Sequence, residues 1–572
     1  MEKKWQIYPK IDQKFISEFP EIHPVILQLL YNRGLTTQAK IDEFLNPDYG
    51  QDQHDPFLFR EMQRAVDRIF LALKKEEKIL VYGDYDADGV TATALLYTVL
   101  KDLKAKDPLV YIPYRLSEGY GLNEKAVEEI KKWGVKLIIT VDCGIANKNE
   151  VSLAKKSGME VIITDHHHEP KSPPTDAYAI INPKVKGETY PFTDLAGVGV
   201  AFKLAQALIC QAKKYGRDLG PAYEKWLLDL VTIGTVTDCV KILGENRTIV
   251  KYGLVVLNKT RRLGLKKLME VANLEPGNLL TWNISFQLGP RLNAAGRLNH
   301  ASASYQLLLS TNEAEATKLA SDLEVTNKER QKITEKLCAE AEKQITKEKN
   351  KSILFAIGDG WSIGVVGLVA GRLTDAYYKP AIVMGREDFE IVGSGRSIAE
   401  FDLISALEKI GHYFSRYGGH AEACGFTLIG EKNLAGFKKD LEKIAAADLK
   451  DKDLKAKVNI ECEIDLEAIN HDLLTQLAVF EPFGSGNERP KFLLKNLKVA
   501  GLEKVGGAGQ HLRLMVCQKG NLVRKCIGFS LAETYSKLKV GDTIDLVGEA
   551  SFNEWNGLKE IQIKICDLKV KK

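Results

Sequence analysis

Acids and imidazoles stand at four places where the chain leaves an apolar run. Lys78-Ile79-Leu80-Val81-Tyr82 leads into Gly83-Asp84-Tyr85-Asp86-Ala87-Asp88-Gly89, and Leu137-Ile138-Ile139-Thr140-Val141 into Asp142-Cys143-Gly144. Val161-Ile162-Ile163-Thr164 leads into Asp165-His166-His167-His168, and Gly234-Thr235-Val236-Thr237 into Asp238. Carboxylates gathered within a few ångströms cannot all ionise without compensation, and divalent cations supply it. Carboxylate with imidazole suits Mn²⁺ or Mg²⁺ better than a soft metal and permits a pair of ions about 4 Å apart, the arrangement that hydrolyses phosphate esters. Singly, these residues have plainer readings. Asp142 serves equally as a helix N-cap, and His168 as a surface residue. Asp84-x-Asp86-x-Asp88-Gly89 opens like a calcium loop, but the twelfth loop position is Leu95 and a strand precedes it, which removes that reading. The repetition after successive apolar runs is what argues for a metal site.

Convergence requires a scaffold. The runs at 78–82, 109–112, 137–141 and 161–164 read as continuous apolar strands, separated by helical segments such as Val90–Leu103. That alternation predicts a parallel α/β sheet covered on both faces, whose strand ends meet in one crevice. Residues 313–349, rich in Glu, Lys and Ala without Gly or Pro, place Leu319, Leu323, Ile333, Leu337 and Ile345 at helical spacing and predict one long connecting helix. A second α/β pattern follows, with strands at 353–357 and 381–384 around a helix at Val365–Tyr377. After about 455, short β-like runs (Phe492–Leu497, Leu512–Cys517, Ile544–Val547) separated by glycine turns predict a small β-barrel, an OB-fold first. The expected organisation is a helical segment at 1–50, an α/β domain at 51–312, the connecting helix at 313–350, a second α/β domain at 351–452, and the barrel at 455–572.

Composition narrows the classes. At 45% hydrophobic and 27% charged, with no run of about 18 apolar residues and no apolar leader, the chain is expected in the cytoplasm and off the membrane. Nine scattered cysteines without a Cys-x-x-Cys pair argue against a disulfide framework or a cysteine zinc site. A net charge of +4 means that any nucleic-acid contact must be local. Residues 491–530 offer such a locality: Lys491, Lys495, Lys498, Lys504, Arg513, Lys519, Arg524 and Lys525 against the lone acid Glu503, with Phe529, Phe552 and Trp555 as candidate stacking rings.

Asp84–Gly89, Asp142-Cys143-Gly144, Asp165-His166-His167 and Thr237-Asp238 resemble the four motifs of the DHH phosphoesterases, and Tyr417-Gly418-Gly419-His420-Ala421-Glu422-Ala423-Cys424-Gly425 resembles the signature of the DHH-associated domain. Ile112-Pro113-Tyr114-Arg115 with Glu118-Gly119-Tyr120-Gly121, Gly289–Arg297, Gly393–Ser397 and Pro482–Asn487 are similar to the RecJ branch, from about residue 50 to the end. The resemblance implies 5′-to-3′ exonuclease action on single-stranded DNA in recombination and repair, two Mn²⁺ or Mg²⁺ ions, and a single-strand-binding protein and a helicase as partners. It implies Asp84, Asp86, Asp88, Asp142, His166 and Asp238 as metal ligands, with Asp142 bridging. His167 is a ligand or a group that orients or protonates at the phosphate. Ser394, Arg396 and Arg115 are implied to grip the 5′-terminal phosphate, Tyr120 to stack on a base, and Arg291, Asn293, Arg297 and His420, with Gly418 and Gly419, to lie along backbone phosphates. Gly197-Val198-Gly199 lacks the third glycine of a dinucleotide fingerprint and reads as close helix packing. The competing functions are a shorter DHH enzyme acting on oligonucleotides or nucleotides and a non-catalytic DNA-binding scaffold.

Overall fold

The computed structural model describes residues 3–115, 117–346, 350–387, 390–519, 522–555 and 558–571. They form two compact units: residues 49–240 with 248–454, and residues 1–48, 241–247 and 455–572.

The first unit holds both α/β sheets. Strands β1 (Ile79–Gly83), β2 (Leu109–Tyr111), β3 (Leu137–Val141), β4 (Glu160–Thr164) and β5 (Ala179–Ile181) form an all-parallel sheet in the order β2-β1-β3-β4-β5. Every residue of β1 and β3 is buried, as their unbroken apolar runs require. In this doubly wound order the connections diverge between β1 and β3, so the crevice at the carboxyl ends opens beside Asp84 and Asp142. Helices α1 (Ala87–Asp102), α2 (Gly197–Ala212) and α3 (Leu228–Thr237) pack together, which is why all three are buried almost all round. The apolar run before Asp238, unlike those before Asp84, Asp142 and Asp165, is a helix, α3, and Asp238 is its C-cap. A helix buried on all sides and a buried strand have the same apolar continuity.

Helix α4 (Gly289–Leu298) follows a π-helical turn, and the long helix α5 (Glu313–Ile345) then buries Ala316, Ala320, Leu323, Leu337 and Ile345. Residues 347–349, at the end of the predicted helix, lie outside the described residues. The second sheet comprises β6 (Leu354–Asp359), β7 (Ala381–Glu387), β8 (Glu390–Arg396), β9 (Phe414–His420) and β10 (Ala423–Leu428), in the order β9-β10-β8-β7-β6. Only β6 and β7 are parallel. Helix α6 (Ile363–Tyr377) and the C-terminal half of α5 cover one face through Val365, Val369, Leu337 and Ala341, while Phe401, Phe414 and Phe437 fill the other.

The second unit is built on a barrel of β11 (Lys491–Val505), β12 (His511–Cys517), β13 (Val523–Gly528), β14 (Thr543–Trp555) and β15 (Leu558–Val570). Pairing runs β11-β12-β13-β15-β14 and closes β14 onto β11, the order of an OB-fold. Two register breaks in β11 bend it enough to pair on both sides. The N-terminal segment belongs to this unit. Ile26, Leu27, Leu29, Leu30 and Phe44 share a core with Leu494, Leu514 and Leu546, and strand Lys4–Ile7 pairs with Lys457–Ile460. Among the described residues no helix is long and apolar enough to cross a membrane.

Candidate metal centre and phosphate-binding groove

Each acid is brought to the crevice by a local reason. Asp86 is the N-cap of α1, its Oδ1 accepting from the N–H groups of Asp88 and Gly89 at 2.9 and 3.0 Å. Asp88, in the first turn of α1, accepts from the backbone N–H of Gly197 and Val198 at 2.7 and 2.8 Å and so tethers α1 to the N-terminus of α2. Asp142 stands in the left-handed region (φ 60°), and its N–H donates to Thr164 O, so the chain turns sharply off β3 with the carboxylate inward. His166 Nδ1 lies 3.1 Å from Leu195 O. Donating there leaves Nε2 as the bare nitrogen, the tautomer a metal ligand needs.

Asp165 differs from its neighbours. Its Oδ2 accepts from Ile145 N–H, and its Oδ1 from the N–H groups of His166 and His167 and the His167 ring. Its oxygens are thus spent on holding the two histidines. His167 Nδ1 also lies 3.0 Å from the Tyr120 hydroxyl, which donates to Asp142 O. Tyr120, expected as a stacking ring, is therefore fastened by its hydroxyl, with 43% of the residue still exposed.

Ligand atoms of three overlapping sets lie within 4.8 Å of one another: Asp84, Asp86 and Asp142; Asp142, His166 and His167; Asp88, His166 and Asp238. Burial and mutual repulsion push the Asp84 and Asp142 carboxyls well above the usual range, Asp88 up to about 7 and Asp238 up to about 9. Burial first, then His167, lowers His166 to about 3, so the imidazole is neutral. Burial opposes the charge of His167, but the Asp165 hydrogen bond and the surrounding carboxylates outweigh it and raise that group. Asp84 Oδ1, Asp142 Oδ1 and His166 Nε2 are buried with no hydrogen-bond partner, and the last two approach to 3.2 Å. Buried polar atoms left unpaired in one spot fit a shared cation. The residues present suit Mn²⁺ or Mg²⁺.

The cluster opens into a cavity of about 320 Å³ that Arg115, Asn293 and Arg297 also line. Through Tyr85, Arg115 and Tyr120 it adjoins a groove of about 930 Å³ walled on its other side by Ser394, Arg416, Tyr417 and Phe426. Asn293 is oriented by accepting from Ala87 N–H at 2.8 Å. Arg297 donates to Gly364 O at 3.2 Å at the start of α6, and Arg396 to Ser394 Oγ and Gly395 O. Burial, then Arg115, Arg330 and Arg396, lowers Arg297 to about 9, and burial with Arg115 also lowers Arg396. Arginines that repel one another beside a row of acids make a receptor for an anion carried by cations. Gly419, at φ 143° and with a would-be Cβ 2.3 Å from Ala423 O, shapes the hairpin that sets His420 parallel to His167 at 6.4 Å. Space is open around Gly418.

Arg291 is engaged away from the cavity. Its guanidinium lies 2.6 Å from Glu324 on α5 and donates to Gln287 O, so it ties helix to helix and does not line the cavity. The basic stretch of the barrel is also less positive than its sequence suggests. Glu488, Glu463 and Glu560 pair with Lys491, Lys495 and Lys525, and Arg524 donates to Ile469 O. Phe529 is 55% exposed, Phe552 packs against the barrel core, and the side chain of Trp555 lies outside the described residues. Missed from the sequence were the structural use of Asp165, the anchoring of His166 and Asp88 by the Leu195–Val198 backbone, and Arg416 and Tyr417 in the groove wall. For Tyr417 a signal existed, since it directly precedes Gly418-Gly419.

A doubly wound sheet with a cluster of acids and imidazoles suited to divalent cations at its switch point, facing a second α/β domain across an arginine-lined groove, defines a phosphoesterase of the DHH class. The family models agree: DHH family, N-terminal domain, over residues 78–235; DHHA1 domain over 350–447; RecJ OB domain over 460–567. The single-stranded-DNA-specific exonuclease RecJ of Bacillus subtilis (strain 168) is 39% identical over 572 residues, covering 99% of this chain and 71% of the relative. That of Salmonella typhimurium is 32% identical over 96% and 97% of the two chains. The crystal structure of RecJ from Thermus thermophilus in complex with Mn²⁺ superposes with a TM-score of 0.84 at 28% identity, covering 100% of this chain and 80% of that one. The chain belongs to the RecJ family.

Proposed function

We propose that the chain is a single-stranded-DNA-specific exonuclease that hydrolyses phosphodiester bonds with Mn²⁺ or Mg²⁺, in recombination and repair. The observation that carries this reading is the set of unpaired buried ligand atoms of Asp84, Asp142 and His166 at the mouth of the arginine-lined groove. Asp84, Asp86, Asp88, Asp142, His166 and Asp238 would hold the ions. When bound, the ions supply an activated water and offset charge on the phosphate oxygens. The side chains do the rest. Asp165 fixes the His167 imidazole and the His166 backbone, and the Leu195 carbonyl fixes the His166 imidazole. His167, held at Nδ1 by Asp165, presents its ring to the phosphate. Arg115 and Arg297 neutralise phosphate oxygens as a fork suits them. Ser394 and Arg396 hold the 5′-terminal phosphate, which gives 5′-to-3′ polarity. Tyr120 and Tyr417 offer faces to bases, and His420 closes over the scissile phosphate.

The barrel supports a long strand as substrate, because an enzyme for dinucleotides has no use for a second binding unit. A cytoplasmic location, with a single-strand-binding protein and a helicase as partners, goes with that role. The test is digestion of long single strands labelled at either end, with Mn²⁺, Mg²⁺ or EDTA, against dinucleotides. Loss of the 5′ label first, only with metal and only from long strands, is expected. Preference for dinucleotides, or binding without metal-dependent cleavage, would overturn the assignment.

A further inference from the structure

Strand β5 ends beside the turn that carries the two histidines, and a lysine stands just past its end. Thr164 pairs with Ile181, whose carbonyl accepts from Asp165 N–H at 3.1 Å. Asn182, fully buried, donates from Nδ2 to the His167 carbonyl at 2.9 Å and accepts at Oδ1 from Lys184 N–H at 2.9 Å. Val185 N–H closes the turn on the Asn182 carbonyl. Asn and Pro are favoured at the first two places of such a turn, and Pro183 fixes its φ. One buried side chain thus ties the backbone of Lys184 to that of His167.

Lys184 is half-buried, and among the described residues it forms no ion pair. Its charge still reaches the acids. The three overlapping sets run from Asp84 through Asp142 and His166 to Asp238. Burial and Asp86 raise Asp84, and Arg115 acts against them there. Burial, Asp88 and Asp86 raise Asp238, and Lys184 acts against them at that end. Burial, then His167, His168 and Lys184, also holds the His420 ring below its ordinary range. That ring comes from the second α/β domain and lies 6.4 Å from His167 and 6.1 Å from His168. The row of acids is thus flanked by a cation at each end, Arg115 towards the groove with Ser394 and Lys184 away from it. A lysine that only tempered the acids would pair with one of them. Lys184 also stands outside the lining of the cavity over the acids, which suits it to a phosphate one step removed from the ions.

We propose that Lys184 binds the backbone phosphate one nucleotide to the 3′ side of the scissile one, while Arg115, Ser394 and Arg396 hold the strand on its 5′ side. This rests on the exonuclease reading above. A compact ammonium on a flexible stem, with three donors and no fork, suits a phosphate that must move onto the ions once a nucleotide leaves. In the full chain, Lys184→Met should raise KM for a long 5′-phosphorylated strand about tenfold, the worth of a hydrogen bond to a charged group. The kcat at saturating strand and its Mn²⁺ dependence should stay as in wild type. The slope of log KM against log salt should fall by about 0.7, one phosphate contact on a single strand, and Lys184→Arg should keep that slope. A strand with a neutral methylphosphonate between its second and third nucleotides locates the contact. Cleavage of its first bond should lose about tenfold in kcat/KM with wild type and nothing further with Lys184→Met. A wild type indifferent to the methylphosphonate, or a Lys184→Met whose loss multiplies with it, would overturn the proposal, as would an unchanged salt slope. Wild type on the unmodified strand separates the two levels. If it releases no nucleotide with Mn²⁺, the exonuclease reading falls and the proposal with it. If it cuts and Lys184→Met matches it in KM and salt slope, only the role of the lysine fails.

Discussion

Replacing Gly197 by alanine should disable the site from outside it. A Cβ there would lie 2.4, 2.5 and 2.6 Å from Oδ1, Cβ and Cγ of Asp142, where ordinary contact begins at 3.4 Å. The pair must separate by about 1 Å, a misplacement that costs on the order of 100-fold in rate. Two ways of yielding exist, and both reach the residues proposed to hold the ions. If the start of α2 retreats, Asp88 loses the N–H groups of Gly197 and Val198, and the Leu195 carbonyl moves off His166. If Asp142 yields, rotating its side chain does not relieve the contact at its own Cβ, so its left-handed backbone must shift, and that carries Oδ1 away from His166 Nε2. Alanine's helical preference over glycine, up to about 1 kcal/mol, offsets part of the roughly 1–3 kcal/mol that overpacking costs, so the thermal midpoint should fall by only a few degrees. The assay is the initial rate of nucleotide release from a long single strand at saturating Mn²⁺, beside a thermal melt. A kcat within about threefold of wild type, less than 1 kcal/mol in the barrier, would refute the argument that α2 and Asp142 share one tight contact.

Three further outcomes are expected. Asp88 and Asp238, raised to about 7 and about 9, bind protons in the folded metal-free chain that the unfolded chain has released above about pH 4. Their contribution is thus present at low pH and lost as pH rises through those values. Thermal midpoints with EDTA should fall from pH 5.5 to 8.5, and the gain on adding Mn²⁺ should grow over the same range; a gain independent of pH would contradict this. Arg396→Ala should reduce the preference for phosphorylated over hydroxyl 5′ ends, measured as a ratio of kcat/KM, and an unchanged ratio would remove Arg396 from the terminal phosphate. A chain ending at 454 but keeping residues 1–48 should bind a hydrophobic dye and aggregate, since Ile26, Leu27, Leu29, Leu30 and Phe44 lose their barrel partners, each a burial worth about 1.5–3 kcal/mol. Residues 49–454 alone should do so less, and equal behaviour of the two fragments would argue against a shared core.

What could be read from sequence was whatever one period or one strand end decides. The runs 137–141 and 161–164 are buried on both faces, so their composition alone marks them as parallel strands with acids at the carboxyl ends, and the sheet order then brings Asp84 and Asp142 together. The carrier of Asp238 was not legible, because an apolar stretch buried all round looks the same as helix or strand. Partners that come from afar were also hidden. Arg291 in a motif beside the site looks like a phosphate contact until Glu324, on a helix 33 residues later, is seen against it. The eight basic residues of 491–530 look like an open positive face until Glu463, Glu488 and Glu560 are folded onto it. Local composition counts charges, whereas electrostatics depends on which charges meet.

The deepest instance is a pair of aspartates that sequence cannot tell apart. Asp142 and Asp165 each follow a buried parallel strand, on neighbouring strands, and both are buried themselves. Burial alone would raise both. Asp165 is instead lowered, because the His167 ring and the N–H groups of Ile145, His166 and His167 surround its oxygens and repay the lost water. Asp142 has an oxygen with no donor and a row of acids facing it, and is raised. A saturated carboxylate cannot take a cation without breaking bonds to the histidines it orients, whereas a starved one gains from any cation offered. The acid that gives the motif its first letter is therefore the frame of the site, and the acid one strand away is the one left with an oxygen to offer a cation. Hydrogen-bond supply, set by how each turn leaves its strand, decides between them.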